Sequence, residues 1–104
     1  MKRRATVKTT VKTIDDLSKI IRKKGILQKY NLDKIGVFGS FARGEKFNDI
    51  DFCVEKDGFT YDELTALKED LEKLFHIKVD VMPKDRAHPG IMYYAEQDMI
   101  YVTK

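Results

Sequence analysis

Asp49 and Asp51 flank one apolar residue inside Asn48-Asp49-Ile50-Asp51-Phe52-Cys53-Val54, a run that reads as a β-strand. Side chains two apart on a strand leave from the same face, so two like charges are held side by side. Keeping both ionised costs free energy unless a cation lies between them, and hard Mg²⁺ takes such oxygen ligands while keeping places for water and substrate phosphates. Just upstream, Lys34-Ile35-Gly36-Val37-Phe38 reads as an apolar strand running into Gly39-Ser40. A residue without Cβ there lets backbone N–H groups approach an anion closely. In Lys78-Val79-Asp80-Val81-Met82, Val79 and Val81 share one face and Asp80 projects from the other, where a buried carboxylate needs a partner. Asp80 is therefore the candidate third ligand. A phosphate cradle beside a metal pair points to nucleotidyl transfer.

Each sign alone has an ordinary reading. A lone Asp-x-Asp is more often a pair of solvated carboxylates, a lone Gly-Ser an ordinary tight turn, and a lone Arg43 a surface ion-pair residue. Three carboxylates on one face of neighbouring strands, with a Gly-Ser turn feeding that face, have no inexpensive structural explanation.

The elements that must position these residues are also marked. Thr13-Ile14-Asp15-Asp16 resembles a capping box, and Ile14, Leu17, Ile20 and Ile21 recur at helical spacing until Gly25 stops the helix. Ile26 to Asn31 reads as a connector, and a short helical turn is expected from Ser40 to about Arg43. Thr60-Tyr61-Asp62-Glu63 is a full capping box, and Leu64, Leu67, Leu71, Leu74 and Phe75 form one apolar stripe that reads as core. His76 reads as an exposed cap on that helix. A last helix is expected from His88 or Pro89 to about Gln97, then a short strand near Ile100–Val102. The fold class is α/β (α+β): a small mixed sheet, with the helices near 14–24 and 60–75 on the face opposite the carboxylates and the active face open.

At 104 residues the chain is expected to hold a single domain over 13–104 behind a basic tail over 1–12. Lys2, Arg3, Arg4, Lys8 and Lys12 stand before Thr13 with no acidic residue, so the formal charge of +3 becomes −2 for the remainder. A nearly neutral fold argues against tight non-specific nucleic-acid binding, which needs a basic stripe on the fold itself. No apolar run approaches the ~20 residues of a membrane span. The lone Cys53 cannot make an internal disulfide, and cytoplasm is the expected compartment.

The string Gly39-Ser40-Phe41-Ala42-Arg43-Gly44-Glu45, then Asn48-Asp49-Ile50-Asp51-Phe52, then Val79-Asp80-Val81, resembles the minimal nucleotidyltransferases of the DNA polymerase beta superfamily, MntA-type antitoxins among them. The likeness runs from about Leu17 onward. It implies that Asp49 and Asp51 bind two Mg²⁺ ions (Mn²⁺ being the alternative), and that Asp80 binds the catalytic one and helps deprotonate the acceptor hydroxyl. Gly39, Ser40 and Arg43 are implied to hold the triphosphate, with ATP as the expected nucleotide. The segment between Ser40 and Asp49 is shorter than in many members, and Asn48 replaces a frequent Ser. Neither change removes a ligand.

A chain this small has nothing obvious to recognise an acceptor. The resemblance supplies a partner, an all-helical HEPN-domain toxin whose tyrosine receives AMP. Two other functions compete with this reading: a module that neutralises its toxin by binding alone, and the nucleotide-binding half of a two-chain enzyme acting on a small molecule such as an aminoglycoside. A homo-oligomer is left open.

Overall fold

The computed structural model of the protein describes residues 11–104. The basic residues Lys2, Arg3, Arg4 and Lys8 lie outside the described residues. Val11 is fully buried in the main core, and the Lys12 N–H donates to Asp16.

Helix α1 spans Ile14–Lys23, and Thr13 Oγ1 accepts from the Asp16 N–H at 3.2 Å. Asp15 and Asp16 stand in its first turn and Arg22 and Lys23 in its last, matching the charge to the helix dipole at both ends. Gly25, at φ +65°, turns the chain into a short helix α2, Ile26–Lys29. This segment was expected to be a plain connector. Ile26 and Leu27 are buried, so packing rather than any local cap makes it helical.

Strand β1 (Lys34–Phe38) leads into a four-residue helix α3 (Gly39–Ala42), then strand β2 (Asp49–Val54). Helix α4, Tyr61–Phe75, carries the complete Thr60/Glu63 capping box. His76 ends it in the left-handed conformation at φ +53° and is exposed, as expected of a cap. Strand β3 (Lys78–Pro83), helix α5 (Pro89–Asp98) and strand β4 (Ile100–Thr103) complete the chain.

The sheet order is β3-β2-β1-β4, with β2 and β3 parallel and the other pairs antiparallel. The parallel pair requires a crossover, and α4 supplies it. Ile35, Val37, Ile50, Phe52, Val54, Val79 and Val102 point to one face and meet Leu17 and Ile21 of α1 and Leu67, Leu71 and Phe75 of α4 in a single buried cluster. Phe52 and Phe75 stack with centroids 6.3 Å apart. The mixed sheet with α1 and α4 opposite the carboxylates is thus the expected architecture.

The carboxylate face is less open than expected at one end. Cys53 lies on that face yet is fully buried, and Met92 and Ala95 of α5 are buried outside the main core cluster. Gly36, paired with Cys53 across β1 and β2, makes the room: a Cβ there would overlap Met99 Sδ. Helix α5 and Met99 therefore cover the Gly36–Cys53 end and leave the Asp end uncovered.

Candidate active site

The register of β2 and β3 brings the three carboxylates together. Asp51 pairs directly with Asp80, and Asp49 is two residues back on the same face. One carboxylate oxygen from each of Asp49, Asp51 and Asp80 lies within 4.8 Å of the others. Asp49 and Asp51 are partly buried. Asp80 is exposed rather than buried, because β3 is an edge strand and no helix roofs its side of this face.

Three acidic groups this close, with the middle one partly desolvated, oppose full ionisation. Burial pushes the Asp51 carboxyl up to about 6, the charges of Asp49 and Asp80 add to the rise, and Arg43 opposes it. A set of hard anionic oxygens in mutual repulsion is what a divalent cation relieves, so the residues present fit Mg²⁺.

The Gly39-Ser40 turn stands against this cluster. Gly39 has φ +79°, in the left-handed region, and a Cβ there would strike Asp51 Oδ2. Both facts demand glycine, and the second sets the turn against the metal-ligand candidate. The Gly39 carbonyl accepts from Arg43 N–H at 3.1 Å and the Ser40 carbonyl from Glu45 N–H at 3.0 Å, which closes the turn. Phe41 is buried and meets Phe47 edge to face at 4.7 Å, anchoring the loop between the turn and Asp49. Asn48, at the entry to β2, makes no side-chain hydrogen bond among the described residues.

Arg43 is brought to the cluster's side but already has protein partners. Its Nη1 donates to Asp98 Oδ2 at 2.6 Å and its Nε to Glu45 Oε1 at 3.0 Å. These carboxylates raise its pKa, Asp98 most. Glu45 could be suspected from the sequence as a neighbour. Asp98, 55 positions away on α5, has no local signal, and only the tertiary fold reveals it.

A family model described as the nucleotidyltransferase domain matches residues 14–102, nearly the whole described chain. The protein belongs to this family. Among relatives of this nucleotidyltransferase, a Methanocaldococcus jannaschii protein with protein adenylyltransferase as its provisional name is 42% identical over 100 residues, covering 88% of this chain and all of that one. The protein adenylyltransferase MntA of Thermococcus cleftensis is 30% identical over 98 residues, covering 86% and 96% of the two chains. A crystal structure of a toxin–antitoxin with AMP-PNP superposes with a TM-score of 0.69 at 21% identity, over 82% of this chain and 71% of the other. A crystal structure of a mutant of the toxin–antitoxin MntA–HpeT gives 0.67 at 19% identity, over 77% and 68%. These two confirm the fold. No helix among the described residues is long and apolar enough to cross a membrane.

Proposed function

We propose that this nucleotidyltransferase is metal-dependent and cytoplasmic, and that it moves AMP from ATP to a hydroxyl on a protein partner, a tyrosine of a HEPN-type toxin. The observation that carries the reading is the in-register Asp49/Asp51/Asp80 cluster with the Gly39 turn pressed against it. The adenylyltransferase names of its relatives and the toxin–antitoxin context of its structural neighbours support the acceptor.

Asp49 and Asp51 would hold two Mg²⁺ ions and Asp80 one of them. Bound there, the ions supply charge neutralisation along the triphosphate and a lower pKa for the attacking hydroxyl. The turn at Gly39-Ser40 and the free N–H groups of Arg43 hold phosphate oxygens. The acceptor approaches from the solvent side, where Asp80 is exposed, and an Asp80 carboxylate oxygen takes the phenolic proton. The new bond joins the phenolic oxygen to the α-phosphorus, and the bond to the β-phosphate bridge breaks, releasing pyrophosphate. In-line positioning of the acceptor supplies much of the rate, and the partner must provide it.

The test uses ATP labelled at either the α- or the γ-phosphate, with Mg²⁺ and the partner protein. Label from the α position should become covalent on the partner while label from the γ position leaves as pyrophosphate. Transfer of γ label, or equal transfer in EDTA, refutes the proposal.

A further inference from the structure

We propose that Asp98 is a positioning residue for nucleotide binding: from the end of α5 it holds the Arg43 guanidinium beside the phosphate turn before ATP arrives. The inference rests on the reading of Arg43 as a phosphate ligand and assigns the α5 residue that makes Arg43 competent.

Arg43 is a long side chain on an exposed turn, with 43% of its side-chain surface accessible. Left alone, it would sample many rotamers, and fixing such a chain on binding costs conformational entropy. Its two carboxylate partners are not equivalent. Glu45 is two residues away on the same loop and 58% exposed, so it moves with the turn it would have to brace. Asp98 is only 22% exposed and ends a helix that Met92 and Ala95 seat on the sheet, with Met99 locked into the Gly36 notch. The short Nη1 contact to Asp98 therefore joins the phosphate turn to a fixed body.

The geometry also leaves donors free. Arg43 has five N–H groups. One Nη1 and one Nε hydrogen go to Asp98 and Glu45, and Nη2 has no partner among the described residues. A guanidinium held on two sides with one amino group open presents a preset donor to an incoming phosphate oxygen. As a stability device the pair counts for little, because solvent screens exposed ion pairs. Its value lies in preorganisation.

The test is a double-mutant cycle on affinity for a non-hydrolysable ATP analogue with Mg²⁺, measured by calorimetry on the full chain. Asp98→Ala should weaken binding about 3- to 10-fold, the span of one ordered side chain at about 1.4 kcal/mol per decade. In an Arg43→Ala background the same change should have no further effect. With the partner present, KM for ATP should rise while kcat stays within about twofold, since the interaction forms before the transition state. Unchanged affinity in Asp98→Ala overturns the inference. An equal loss in the Arg43→Ala background also overturns it, by showing a merely structural role. Tighter binding overturns it too, by making Asp98 a competitor of phosphate. Failure of the wild-type chain to bind the analogue would instead remove the functional reading itself, and the inference with it.

Discussion

Asp51→Asn should stabilise the metal-free protein while removing its response to metal and nucleotide. Asp51 ordinarily titrates near 3.8 and is held at about 6 by burial and the charges of Asp49 and Asp80. Because the folded-state value is raised, the neutral form is favoured by folding. The associated stability is fully present below pH 4 and is lost as pH rises through about 6. A rise of about two units corresponds to at most ~3 kcal/mol, and partial solvent access reduces this to about 1.5 kcal/mol. Asn keeps the side-chain shape and carries no charge, so at pH 8 in EDTA the variant should melt roughly 6–12 °C above wild type. By about pH 4 the difference should vanish. Mg²⁺ with ATP at about a hundred times its dissociation constant should then raise wild type by ~2.7 kcal/mol and leave the variant nearly unmoved, reversing their order. Differential scanning fluorimetry over this pH series reads both effects. A variant no more stable than wild type at pH 8 in EDTA, or one gaining equally from Mg²⁺ and ATP, would refute the account of the cluster.

Three further outcomes follow from particular contacts. Gly39→Ala places a Cβ against Asp51 Oδ2 at φ +79°, so it should cost about 1–3 kcal/mol in urea unfolding and abolish nucleotide binding in calorimetry. Gly36→Val should displace Met99 and unseat α5, exposing Cys53 to a thiol reagent that leaves the buried wild-type thiol unmodified. Thr60→Ala removes the N-cap acceptor for Glu63 N–H, which should lower stability by about 1 kcal/mol and leave AMP transfer unchanged, because the α4 N-terminus is remote from the carboxylates.

The parts of this molecule legible in the sequence are those coded locally. The Asp49–Val54 alternation marks a strand and assigns its faces, the Thr60/Glu63 box marks the start of α4, and Gly39-Ser40 marks the turn. What was illegible depends on contacts made at long range. Ile26–Lys29 is a single turn without a side-chain cap, and only burial of Ile26 and Leu27 makes it helical. The exposure of Asp80 follows from β3 lying at the sheet edge, which an alternating Val-Asp-Val cannot reveal. The cover over Cys53 needs Met99 to find Gly36, and the Arg43–Asp98 pair joins residues 55 positions apart. Such pairings exist only once the sheet order is set.

The central claim, AMP transfer to a protein hydroxyl at the Asp49/Asp51/Asp80 cluster, is tested most directly by the intact mass of the proposed HEPN-type partner. The partner is incubated with ATP, Mg²⁺ and either wild type, Asp49→Asn or Asp51→Asn. Wild type should add one or more AMP units to a partner tyrosine, and both variants should add none while still binding the partner. Toxin neutralisation that survives both substitutions, with no adduct formed from any nucleotide, would contradict the account and leave a protein that acts by binding alone.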